Sequence, residues 1–377
     1  MSDSTNITSG KHAPFWKIWA NPIFRRYCRS RLRARGLGGF LLVFLIIAGF
    51  LFFITRSFAI HRTGLDIGDA ERAPIIPLLV LQALILFFLG TGQVAGAMTA
   101  EADEGVLDYQ RLAPMSPLAK VLGYLFGLPV REYVICLATM PFSLWCVIRG
   151  DVPLGVAGML YLAFFTSAIL YHLTGLVAGT VVKNRRWAFL ISMGAIFFLY
   201  TIMPQVAKFG LVYFRYLTIQ PVFEESLPYI IPRDLGAGIQ SLNNLLPRAS
   251  FFNLDLPEAL FTVATQAILI FTGIIMLWRR WYRAESHLLG KGWALGLFAW
   301  LQMLLLGNAL PLIESGKIFP SQAMGNFRFR RMQEWNPDGM EAVVMAGVYG
   351  LVTLAIIWIM TLMITPNPEC QLRGWRR

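Results

Sequence analysis

The chain has 377 residues, of which 56% are hydrophobic and 14% charged, with a mean hydropathy of +0.58 and a net charge of +12. Soluble domains carry roughly 25% charged residues, so water would not tolerate the surface implied here, and a polytopic all-α membrane protein is the expected class. The scattered Cys28, Cys136, Cys146 and Cys370 have no paired spacing, which argues against a disulfide framework or a zinc site.

Residues 1–36 are basic and polar, and no short apolar run with a small-residue cleavage site follows, so no cleaved leader is expected. Asn21 can cap a helix that has Pro22 at its first position. Ile23, Phe24, Tyr27 and the aliphatic stem of Arg31 share one face, while Arg25, Arg26, Arg29, Arg33 and Arg35 crowd the rest. Trp16 and Trp19 suit the headgroup level. The pattern predicts an amphipathic helix along the cytoplasmic membrane surface, leading into the first span. The same residues also fit a plain positive anchor.

Candidate spans follow at 37–55, 74–98, 121–148, 154–182, 187–203, 257–278, 293–313 and 342–364. Each comes near the roughly 20 residues that carry a helix across about 30 Å of hydrocarbon. The third contains Pro129, Arg131 and Glu132, which moves its true crossing to start near Val130. The fifth is short, and a re-entrant course stays open for it. Between the fifth and sixth, residues 204–256 alternate apolar clusters with Pro221, Pro228, Pro232 and Pro247, which predicts short helices lying on the outer membrane face. The chain thus divides into a basic N-terminus (1–36), a transmembrane core (37–283) and an added hairpin with a basic tail (284–377).

Lysine and arginine set the orientation. With the N-terminus inside, the inside segments hold 20 basic and 7 acidic residues, and the outside segments hold 12 of each. Both termini are therefore expected in the cytoplasm, in the cell's inner (plasma) membrane. The positive charge reads as a topology signal, not as a nucleic-acid surface.

Residues 99–123 carry the sharpest pattern. Glu101, Asp103 and Glu104 suit the first turn of a helix, where the dipole favours carboxylates. Val106, Leu107, Gln110 and Arg111 continue at helical spacing, Pro114 stops the helix, and Ser116 with Pro117 can start the next. A short rigid helix between two spans can pass a push into the membrane.

The acidic-Glu-Gly run, the aliphatic pair, Pro-x-Ser-Pro and an aliphatic–Gly pair resemble the signature of permeases of the ABC type-2 exporter class. Glu101, Glu104, Gly105, Leu107, Leu112, Pro114, Ser116, Pro117 and Gly123 stand at matching positions. The resemblance covers roughly residues 14–283. It implies a coupling helix near 99–118 that docks on a separate ATPase subunit, and an elbow helix at Asn21, Pro22, Arg25, Arg26 and Arg29. It also implies pairing of two permeases, with ATP and Mg held by the partner chain. Asp103 stands where a basic residue is usual, and Tyr124 where Lys is common.

The Gly-Lys pairs at 10–11, 290–291 and 316–317 lack the following Ser or Thr of a phosphate-cradling loop, so no ATP site is expected in this chain. His172 is the histidine that falls within a span, and hydrogen-bonded packing is its expected role. Gly92-x-x-x-Gly96 and Gly175-x-x-x-Gly179 fit close helix contact, either within one subunit or across a homodimer seam. Two other functions stay open. One is a membrane-embedded enzyme acting on a lipid or polyprenyl-linked substrate through Glu224, Glu225, Arg233 and Asp234. The other is a non-transporting assembly protein.

Overall fold

The computed structural model describes residues 18–61, 64–182, 184–203, 211–232, 250–282, 287–314 and 340–364. These form a helical bundle with one two-residue antiparallel pair, Ser250–Phe251 with Leu254–Asp255. Arg233 and Asp234, Trp16, the basic tail and Cys370 lie outside the described residues.

A short 3-10 turn leads into α1 (Pro22–Arg31), which precedes α2 (Ala34–His61). A single turn, α3 (Ile67–Ala70), is followed by a long rod. The rod runs as α4 (Ile75–Ala83), a π-helical segment (Leu84–Gly90) and α5 (Thr91–Asp103). Then come α6 (Val106–Leu112), α7 (Pro117–Gly127), α8 (Val130–Arg149), α9 (Leu154–Gly179) and α10 (Arg185–Thr201). After a 3-10 turn (Val212–Leu217) follow α11 (Gln220–Ile230), α12 (Glu258–Tyr282), α13 (Lys291–Glu314) and α14 (Met340–Ile364).

Seven of the described helical segments are long and apolar enough to cross a membrane. Only 11% of the apolar window of α2 is buried, and 6% of that of α14, so these helices present Phe50, Phe53, Leu354 and Trp358 outward. Such surfaces belong in lipid, and the chain is a multi-pass membrane protein. α10 has 17 residues, about 25 Å at 1.5 Å per residue, short of the hydrocarbon thickness. Within the third candidate span, 121–148, the crossing starts where Pro129 placed it: the missing backbone donor separates α7 from α8, which begins at Val130.

Segment 211–230 corrects the surface picture of the long loop. Its short helices form, but they are packed against α9, α12 and α13. Tyr171 donates to the Leu217 carbonyl at 2.8 Å, and Gln266 Nε2 donates to the Tyr216 carbonyl at 3.1 Å. A turn among apolar helices has carbonyls that water cannot reach, and these side chains satisfy them.

Polar side chains cross-link the rest of the bundle. Gln82 donates to Ser143 at 3.1 Å and accepts from Tyr161 at 3.0 Å, tying α4 to α8 and α9. Each such bond between helices in a membrane is worth about 0.6 kcal/mol on average. The π segment is held the same way. A π turn shifts the backbone ladder, and His172 Nε2 meets the Leu86 carbonyl at 3.0 Å while its Nδ1 meets Tyr133 Oη at 3.0 Å. Both small-residue motifs are filled within the chain. A Cβ on Gly92 would lie 2.7 Å from the Phe189 ring, and one on Gly179 would lie 2.7 Å from Met98 Cβ.

Candidate functional site

The basic N-terminal helix, the acidic segment, and the start of α10 gather at one end of the bundle. Asn21 caps α1 by accepting from the amides of Ile23 and Phe24, and its Nδ2 donates to the Ala119 carbonyl of α7 at 2.5 Å. Pro22 occupies the first helical position. α1 buries Ile23, Phe24 and Tyr27, and Arg31 lies half-buried with its guanidinium 5.8 Å from the Tyr27 ring centre. Arg25, Arg26 and Arg29 face outward, with Arg25 bonded to the Trp19 carbonyl at 2.7 Å. The face of α7 that receives α1 is glycine. A Cβ on Gly123 would stand 2.8 Å from Asn21 Oδ1, and one on Gly127 would stand 2.8 Å from the Tyr27 ring.

One carboxylate joins three helices. Glu101 is buried, and its Oε1 accepts from Tyr27 Oη and from Arg26 Nη2, the latter at 3.0 Å. Its Oε2 accepts from Tyr124 Oη at 2.5 Å. Burial, and then the adjacent carboxylate, push both phenols above their ordinary range, so they stay protonated and act as donors. Trp281 of α12 stacks on Tyr124 with ring centres 5.3 Å apart, which brings in a fourth helix.

The helix boundaries differ from expectation. α5 continues through Asp103, so the acidic residues stand in its last turns and do not open the next helix. The dipole disfavours carboxylates there, and at Glu101 three donors offset that cost. Gly105, at φ +71°, turns the chain into α6, a conformation that disfavours side chains with a Cβ. α6 buries Leu107 and exposes Asp108, Tyr109 and Leu112. Ser116 caps α7 by accepting from the Ala119 amide at 3.2 Å, with Pro117 at the first helical position.

The candidate residues therefore divide into two groups. Glu101, Leu107 and Asn21 are internal joints. Glu104, Gly105, Leu112, Pro114 and Ser116 are exposed, and Pro117 is partly so. Sequence reasoning missed Tyr124, Gly127 and Trp281. The spacing Gly123-x-x-x-Gly127 was the available signal for the α1 seat, and the departure at Tyr124 was the signal for the carboxylate hub.

Two recesses flank this unit. One, of about 480 Å³, opens between α5 and α10 and is lined by Gly92, Gly96, Phe189, Arg185 and Arg186 among others. The other, of about 140 Å³, lies under α6. On the opposite side, Glu224 pairs with Arg215 at 2.5 Å and Glu225 accepts from the Ala259 amide at the start of α12. Among the described residues no group of three His, Cys, Asp or Glu side chains could hold a metal ion. Comparison with protein-family models, with curated proteins and with solved structures gave no match.

Proposed function

We propose that this chain is the membrane-spanning permease subunit of an ATP-driven ABC exporter, paired with a second permease and driven by separate nucleotide-binding subunits that hold ATP and Mg. The observation that carries this is the Glu101 hub. It makes α1, α5 and α7 one unit, with α6 as the exposed short helix at its tip. A push on Tyr109 and Leu112 passes through buried Leu107 and the Gly105 turn into α5, a rod that continues through the bundle. Packed helices move as discrete bodies rather than deform, so such a tip can work as a lever.

Both termini are assigned to the cytoplasm and the protein to the inner (plasma) membrane, on the distribution of basic residues. The recess between α5 and α10 offers apolar walls and an arginine rim, which suits an amphiphilic cargo. An enzyme site built on Glu224 and Glu225 finds less support, because both carboxylates already serve structural partners.

The test is a tagged pull-down from gently solubilised membranes, with ATPase activity assayed on the eluate. A co-purifying nucleotide-binding subunit, lost in the double variant Tyr109→Ala and Leu112→Ala, supports the assignment. A chain that elutes alone and without ATPase activity removes it.

A further inference from the structure

The recess under α6 has cations on its wall. Its wall includes Arg111 and Asp108 of α6, Arg280 and Trp281 of α12, Leu107 and Thr180. Lys120 stands beside it, with Nζ 3.2 Å from the Arg111 carbonyl and 5.9 Å from the Trp281 ring centre. Arg280 donates to the Thr180 carbonyl at 3.0 Å, a neutral acceptor. Arg111 pairs with Asp108, while its Nε is buried without a hydrogen-bond partner. Three cations thus stand in or beside a recess whose lining holds one carboxylate, Asp108, which pairs with Arg111 and is itself mostly exposed. Burial, and then repulsion from Arg111, make the Lys120 ammonium easier to deprotonate than usual.

We infer that this socket receives an acidic side chain from the nucleotide-binding subunit, so that docking on α6 is completed by a charge-assisted pair with Arg280 and Arg111. The inference rests on the function proposed above, and adds which chemistry the partner must bring. The volume, about 140 Å³, corresponds to four or five waters, which an inserted carboxylate with its methylene stem would displace. The apolar part of the wall, Met98, Leu107 and Leu277, would cover that stem. The partner is the favoured source because α6, which supplies Leu107, Asp108 and Arg111 to the wall, is also the exposed tip, and the Asp108 side chain on that wall is itself open to the outside. A guanidinium fork in a partly dehydrated recess favours a planar carboxylate in two-point contact.

The experiment titrates the co-purified nucleotide-binding subunit against the full chain in detergent micelles. Arg280→Gln is expected to weaken binding at least tenfold and Arg280→Glu more, with the loss shrinking as ionic strength rises. Asp108→Asn removes the internal competitor for Arg111 and is expected to tighten binding, the opposite sign from a merely structural role. An Asp or Glu→Lys substitution on the nucleotide-binding subunit should rescue Arg280→Glu. If Arg280→Glu and Asp108→Asn change affinity less than twofold while Leu112→Ala weakens it, the socket is overturned and the docking assignment stands. If no variant, Leu112→Ala included, alters binding, both fail. If Arg280→Glu instead abolishes only the thermal stabilisation given by phosphatidylglycerol over phosphatidylcholine nanodiscs, the socket holds a lipid headgroup and the inference is overturned.

Discussion

The Tyr124 hydroxyl lies 2.5 Å from the Glu101 carboxylate, joining α7 to the last turns of α5 across a buried contact. Tyr27 of α1 reaches the other oxygen of the same carboxylate. A carboxylate with donors from two further helices acts as a rivet. It holds the N-terminal helix, the rod and α7 in one fixed relation, whatever lies beneath them.

Removing that carboxylate should loosen the unit. Glu101→Ala leaves two buried phenol hydroxyls without their acceptor, each at a cost of about 1–3 kcal/mol. Glu101→Gln keeps one acceptor oxygen and should lose less. Thermal unfolding in detergent micelles checks the order: wild type above Glu101→Gln above Glu101→Ala. The double variant Tyr27→Phe and Tyr124→Phe should depart from additivity by about 0.5 kcal/mol or more, because both phenols share one partner. Strict additivity would mean the hub is not a unit.

The α1 seat should be sensitive to a single methyl group. Gly123→Ala brings a Cβ to 2.8 Å from Asn21 Oδ1 and 3.0 Å from Ile23 Cβ, so α1 must shift. Overpacking of this kind costs about 1–3 kcal/mol. Cys28, half-buried on α1, reports the shift in a Cys370→Ser background, since Cys136 and Cys146 are buried. Burial raises the Cys28 thiol pKa, so at neutral pH little thiolate is present and maleimide labelling should be slow and rise with pH. Displacing α1 relieves that burial, and Gly123→Ala should label faster at pH 7. Equal rates would show that α1 tolerates the methyl in place.

At Gly105 the cost is conformational, since nothing lies within 4 Å of an added Cβ. The +71° φ disfavours any side chain, with Asn the least affected. Gly105→Val should therefore misdirect α6 and, on the function proposed above, strongly reduce stimulation of the partner ATPase, while Gly105→Asn should retain most of it. Measuring stimulated ATPase activity at matched expression decides; equal activity in both would remove the turn from the proposed coupling path.

Much of the architecture was legible because twenty apolar residues in a row admit few conformations in a bilayer. The break at Pro129 was legible for a local reason too, the missing backbone donor. The end of α5 was not. Glu101, Asp103 and Glu104 look like a helix start when only the dipole is considered, and the donors that reverse the balance come from Arg26, Tyr27 and Tyr124, far off in sequence. The depth of segment 211–230 was hidden likewise. Its prolines and polar residues read as surface until Gln266 and Tyr171 are known to satisfy its carbonyls. Within the candidate site, the exposed tip was readable from short-range punctuation, whereas the rivet depended on contacts between helices.

The π segment offers a last test inside the bundle. His172 Nε2 caps the Leu86 carbonyl, and the same ring nitrogen would lie 2.6 Å from a Cβ on Gly90. Gly90→Ala therefore forces the imidazole away and breaks the cap, which combines a steric cost with an unsatisfied carbonyl. His172→Ala removes the donor and leaves space. The two substitutions act on one interaction, so Gly90→Ala should cost much less in the His172→Ala background than in the wild type, by about 1 kcal/mol or more. A double-mutant cycle on thermal unfolding in micelles gives the coupling directly. Independent effects would mean that the imidazole does not hold the π turn, and that the turn is set by the packing of Phe87 against Phe164 and Tyr171 instead.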